Sequence, residues 1–332
     1  MLLRIYKINH PVILLLIFIL TGSVWSLSFI KAAGYEFPEY NFEMPLYLWI
    51  YSWISKYPLL ATILSYILIL IAAGIINRLN NRYFLLESRT YLPSLIYILL
   101  CSIYPLQNLH PILFSNLFLL ICLNTIFSSY REENRWSNFF DAGILISLAS
   151  LFYIKYAFFV VIIWFSLFIL RPFRGREWLL SIIGFILPYV FVITYFFAFE
   201  ENTQYKIGLF FNQLVNFKST HNYNYIYYAY FAVLFFLTLS GSYHIIISLR
   251  KQKVSVRRFY QVFFWLFVVS VILFSVSSFS THAYLSVAAI SLSFLISNNL
   301  LSIKSGFRKE IIFIILLGIA VLFQLFYYTD IF

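Results

Sequence analysis

Glu36, Glu39 and Glu43 stand within eight residues of one another, in a stretch (31–57) that is otherwise mostly apolar. They are three of the chain's twelve acids. Carboxylates at this density can act as a general base or supply ligands to a divalent metal cation, the one cofactor the sequence suggests. They can equally be ordinary acids of a solvated loop. A helical loop would put all three on one face, but Pro38 interrupts it. Three histidines, His110, His221 and His282, fall in turns on the same side of the chain as the glutamates. Lys155 sits between two apolar runs on that side, a position suited to a lipid phosphate and equally to snorkelling toward headgroups. Together they read as a site on one membrane face: Glu36, Glu39 and Glu43 for catalysis, and Lys155, His110, His221 and His282 for a substrate or lipid phosphate.

The elements that must position these groups are membrane helices. The chain has 332 residues, 62% of them hydrophobic and 11% charged, against about 25% charged in ordinary soluble domains. Apolar runs long enough to span, or nearly so, lie at 11–30, 59–76, 91–104, 111–129, 139–154, 156–170, 178–199, 223–248, 259–277, 283–299 and 310–328. The fold class is therefore an all-α polytopic transmembrane helical bundle of about 11 spans, a single integral-membrane domain over 1–332. The runs at 91–104, 139–154 and 156–170 are short, so 139–170 is either two spans or one re-entrant hairpin. The run 11–30 is longer than a signal-peptide core and reads as a retained first helix.

Directly after the glutamates, Leu46, Trp49, Ile50 and Trp53 recur at helical spacing, while Ser52, Ser55 and Lys56 share another face. That pattern predicts an amphipathic helix over 44–57, too short to cross and lying in the interface with its tryptophans at headgroup depth. The longest connection, 200–222, is on the same side.

With the N-terminus inside, 18 of the 23 basic residues fall in inner connections, and only Lys31, Lys56, Lys155, Lys206 and Lys218 fall outside. That asymmetry sets the orientation as N-inside and C-outside, and it accounts for the net charge of +11 without a nucleic-acid partner. Reporter fusions after Ile30, Gln107, Glu201 and Phe332 should read outside, and those after Arg82, Glu133, Arg174 and Lys253 inside. Two reversed sites would overturn the orientation. The Arg171–Trp178 turn reads as part of the same charge bias, with no further role. Asp141 reads as a helix N-terminal charge, Cys101 and Cys122 as small buried hydrophobes, and the tyrosines of 223–230 as an interfacial belt. No Gly-rich phosphate loop is present, so nucleotide-driven chemistry has no evident seat.

Two segments, FDAGILISLASLFYIKY ending at Tyr156 and LRPFRGREWLLSIIGFILPYVF (170–191), resemble a family of uncharacterised polytopic inner-membrane proteins of Bacteroidetes. That resemblance implies a bacterial inner (cytoplasmic) membrane and a periplasmic first loop. In layout the chain is also similar to C-type glycosyltransferases, which carry a catalytic acid in the first external loop, followed by an interfacial helix. It departs from them in having no Asp in that loop and no D-D or D-x-D pair. This resemblance implies a transferase that takes a sugar from a polyprenyl-phosphate donor on the periplasmic face. The alternatives are a non-enzymatic subunit or scaffold with protein partners in an envelope assembly, and a lipid or solute transporter.

Overall fold

The structure is a computed structural model that describes residues 11–30, 44–103, 106–130, 132, 136–199, 208, 212, 214, 253–276, 284–303 and 306–328. Among the described residues every regular element is helical. The α-helices are α1 (Pro11–Ile30), α2 (Pro45–Ile54), α3 (Pro58–Tyr83), α4 (Leu92–Cys101), α5 (Pro111–Ser128), α6 (Ser137–Phe152), α7 (Val160–Leu170), α8 (Gly175–Phe199), α9 (Val254–Val276), α10 (Tyr284–Ser302) and α11 (Gly306–Tyr328). A 3₁₀ helix, Ile154–Phe159, joins α6 to α7. Proline marks the helix starts: Pro45, Pro58, Pro93 and Pro111 all sit in first turns, where a missing N–H costs nothing.

Six described helices, α1, α3, α5, α8, α9 and α10, are long and apolar enough to cross a membrane. The run at 91–104 forms only the ten-residue α4, about 15 Å long, and all ten residues are buried. Hydropathy cannot separate lipid-facing from protein-buried apolar residues, and a run this short belongs to the interior. The 139–170 region is a broken hairpin. Tyr153 adopts extended backbone and ends α6, the 3₁₀ helix turns the chain, and the eleven-residue α7 returns against α6. The run 223–248 lies outside the described residues.

The core is built around α4 and α10, which pack on one another; α3 and α11 lie against α4, and α9 against α10. Within α10, 83% of the spanning window is buried, against 11% for α8, so α10 is central and α8 peripheral. Helix α10 is buried on nearly all sides; Ser286, Ser293 and Ser297 form a small polar stripe along one of them, and Ser291 is buried on another. Small side chains let helices approach closely, and two of the hydroxyls return to their own helix: Ser293 Oγ donates to Ile290 O at 2.7 Å and Ser297 Oγ to Ser293 O at 2.5 Å.

Helices α5 and α6 run antiparallel in a register fixed by side chains. Ser115 Oγ donates to Ala149 O at 2.8 Å, and Asn138 Nδ2 donates to Thr125 O at 3.1 Å. Helix α8 runs parallel to α6 and packs closest to it at two glycines. A Cβ at Gly143 would strike the Ser181 carbonyl, and one at Gly184 the Phe140 carbonyl. Gly143→Ala and Gly184→Ala must therefore force the helices apart, at a cost of about 1–3 kcal/mol. Gly74→Ala, where nothing lies within 4 Å, serves as control. In detergent, both interface variants should melt several degrees below the control; equal melting of all three would contradict this packing.

Helix α2 is a separate element set off from α3 by a turn. Its Trp49 and Trp53 are 70% exposed, while Met44 and Tyr47 are buried against Leu151, Phe152 and Ile154 at the end of α6. The expected apolar stripe thus divides: its tryptophans face outward, and Tyr47, on another side of the helix, anchors it.

Candidate functional site

The two ends of the bundle differ in chemistry. One end gathers Arg82 and Arg89 around the end of α3, Arg171, Arg174 and Arg176 around the α7–α8 turn, and Arg257 and Arg258 at the start of α9. At the far end, below α2, lie the start of α5, the end of α6 and the 3₁₀ helix. The α5–α6 register dictates what meets there. With Ser115 opposite Ala149, His110 and Lys155 both fall just beyond the same end of the helix pair.

Both are buried. His110 is 4% exposed and Lys155 is 3% exposed. Lys155 is thus enclosed by neighbouring protein side chains. Around it the 3₁₀ helix is welded to α5 and α10 by polar side chains. Tyr156 Oη donates to Asn116 Oδ1 at 2.5 Å, Asn116 Nδ2 donates to Ser286 Oγ at 2.8 Å, and Tyr284 Oη donates to Tyr153 Oη at 3.2 Å. Asn116 thus spends its carbonyl and one N–H joining three elements, which fixes its amide orientation. Phe114 of α5 and Phe152 of α6 stack at this end, 5.3 Å between centroids, and helix α2 covers them through Tyr47, whose ring lies 6.4 Å from that of Phe114 and whose hydroxyl points at Leu109 O from 3.5 Å.

A second polar knot holds the neighbouring α4–α5 turn. Gln107 accepts from Ser28, its amide donates to Ser102 O at 2.7 Å, and its backbone carbonyl accepts from Ser65 Oγ at 2.6 Å. Trp25 Nε1 donates to Ser102 Oγ at 2.8 Å. Helices α1 and α3 are thereby tied to the turn that ends in His110.

His110 itself caps α5 with its backbone carbonyl, which accepts from Leu113 N at 3.2 Å. Neither ring nitrogen has a hydrogen-bond partner. Burial pushes the imidazole from its ordinary 6.5 down to about 4, because a charged ring has no solvation there. Its folded value is depressed, so its contribution is fully present above the unfolded value and is lost as pH falls from about 6.5 toward about 4. The loss amounts to about 3 kcal/mol. Between pH 7 and 4.5 the wild-type melting temperature should fall more steeply than that of His110→Leu; parallel curves would show that the ring is not buried neutral.

The other sequence-derived site residues, Glu36, Glu39, Glu43, His221 and His282, lie outside the described residues. Among the described residues no group of three or more His, Cys, Asp or Glu is placed to hold a metal ion. Asp141 is exposed in α6, and Cys101 and Cys122 are buried free thiols.

At the arginine end, the turn read as mere charge bias proves to be a buried clamp. The Arg171 guanidinium pairs with Glu177, donates from Nη2 and Nε to Ser129 O at 2.7 and 3.2 Å, and reaches Glu132 O. It also lies 5.5 Å from the Phe139 ring centroid. Arg176 stacks on Trp136 at 3.9 Å, and Arg258 donates to Leu170 O at 3.3 Å. The six-residue spacing of Arg171 and Glu177 across a Pro172/Gly175 turn matches no helical period. No pattern in the sequence distinguishes this arginine from its neighbours.

A chain whose described regular elements are all helical, six of them apolar and long enough to cross a membrane, is a multi-pass membrane protein. The chain belongs to a family of unknown function (DUF6427), whose model matches residues 41–332. No curated protein and no solved structure matches it.

Proposed function

We propose that this protein is an enzyme of a bacterial inner membrane that transfers a sugar from a polyprenyl-phosphate donor at its far, periplasmic end. The observation that carries this reading is a buried lysine and a buried histidine at the same end of one helix pair, roofed by a short amphipathic helix. A cation inside the bundle at that depth suits an anionic headgroup whose tail stays in lipid. In the proposed reaction a Glu36, Glu39 or Glu43 carboxylate takes the proton of an acceptor hydroxyl. The acceptor oxygen attacks the anomeric carbon, the anomeric C–O bond to phosphate breaks, and polyprenyl phosphate departs with the electron pair. Lys155 offsets the negative charge of the leaving phosphate, and α2 keeps the headgroup at the interface. Donor chemistry borne by lipid also explains how such an enzyme works without a nucleotide site.

The test is consumption of radiolabelled polyprenyl-phosphate hexoses by proteoliposomes of the purified protein, with Lys155→Met alongside. Turnover by the wild type that falls at least tenfold in the variant supports the proposal. Turnover that survives Lys155→Met unchanged contradicts the role given to that residue, and no turnover of any donor leaves a non-enzymatic scaffold as the better reading.

A further inference from the structure

His110 is a buried polar group kept at a cost to stability. A buried polar side chain with no partner typically destabilises the fold by an amount that an apolar replacement would recover. Both ring nitrogens are in that condition, although polar side chains at the same end are matched: Tyr156 donates to Asn116 and Asn116 to Ser286, while Tyr284 donates to Tyr153. The neighbouring Gln107 is likewise fully engaged. Other buried polar atoms also go unmatched, Tyr97 Oη and Ser147 Oγ among them, but His110 has both of its ring nitrogens in that state. By the α5–α6 register it falls at the same end as the buried Lys155, the end that α2 covers.

We infer that His110 and Lys155 form a subsite for a terminal phosphate or diphosphate group, with an imidazole N–H of His110 donating to a phosphate oxygen and the Lys155 ammonium supplying the charge. This rests on the proposed function only for the identity of the tail. The subsite's chemistry is that of a phosphomonoester or diphosphate, from whichever source; in the proposed reaction that is the released polyprenyl phosphate and not the sugar-bearing diester. At neutral pH the buried ring is uncharged, so it offers one N–H and recognises a phosphate oxygen by direction as well as charge. The 3₁₀ helix gives Lys155 a fixed base, because the residue that follows it, Tyr156, is held by Asn116 at 2.5 Å.

Thermal melting and binding of the full chain in phosphatidylcholine nanodiscs test this, using polyprenyl monophosphate, inorganic pyrophosphate and phosphatidylglycerol as separate probes. For the wild type, polyprenyl monophosphate should raise the melting temperature and phosphatidylglycerol, a diester, should not. A shift with pyrophosphate alone would assign the subsite to a soluble phosphate. His110→Leu should melt no lower than wild type without ligand, yet bind the phosphate probe about 10- to 100-fold more weakly, the size of a hydrogen bond to a charged group. His110→Gln, which keeps one donor, should lose less. Equal affinity in wild type and both variants, or an equal response to phosphatidylglycerol, overturns the subsite. Binding that depends on His110 in a protein that turns over no sugar donor leaves the subsite standing and removes the transferase.

Discussion

Arg171→Ala should be the most destabilising single substitution at the arginine end of the bundle. The guanidinium closes the turn between α7 and α8 onto the loop after α5 through Glu177, Ser129 and Glu132, and it is 9% exposed. Removing it strands the Glu177 carboxylate, 2% exposed, without its cation and frees two backbone carbonyls. Breaking a buried pair from one side costs about 3–5 kcal/mol, a large share of the 5–15 kcal/mol that typically holds a domain together. The expected result is loss of the monodisperse peak in size-exclusion chromatography at ordinary growth temperature. Arg171→Lys should fail nearly as badly, because one ammonium cannot serve three acceptors set in a fork. Arg171→Met combined with Glu177→Leu should recover part of the loss, since no charge is then left buried. Wild-type melting by Arg171→Ala would show that the clamp contributes nothing.

The second large effect is expected in the loop that precedes α2. Changing the one glutamate among Glu36, Glu39 and Glu43 that serves as base to glutamine keeps its size and removes its proton acceptor. Transfer should fall about 10²–10⁴-fold, with expression and melting temperature unchanged, because the substitution keeps the size of the side chain. The remaining two substitutions should cost far less. If all three Glu→Gln variants keep full activity, the proton acceptor lies elsewhere. If all three lower melting equally, the carboxylates are structural.

Most of the helix pattern was legible because proline and hydropathy carry local physics. The starts of α2, α3 and α5 at Pro45, Pro58 and Pro111 follow from a ring that has no N–H to lose. The helix expected over 44–57 appears as Pro45–Ile54, shortened where Pro58 opens the next one. What hydropathy could not supply is which apolar residues face protein. The ten residues of α4 read like a span because protein interior and lipid are equally apolar. At the site, residue type and spacing pointed to His110 and Lys155, but their meeting depends on the α5–α6 register, set by Ser115 and Ala149 thirty-four residues apart. The unmatched nitrogens of His110 and the clamp at Arg171 are properties of three-dimensional neighbours, so no one-dimensional pattern foreshadows them. Lys155 shows the limit from the other side: its surroundings in the chain suggest a membrane surface, and packing by the 3₁₀ helix encloses it instead.

The proposed account stands on a lipid phosphate being handled at the far end of the bundle, and photocrosslinking addresses that directly. A polyprenyl phosphate carrying a photoreactive group next to the phosphate is irradiated with the protein in nanodiscs, and labelled peptides are mapped. The predicted result is labelling confined to the stretch from Glu36 through α2 and to the 3₁₀ helix around Lys155, abolished by excess unlabelled polyprenyl phosphate and by Lys155→Met. Labelling at the arginine end, or spread along the exposed length of α8 without competition, would contradict it.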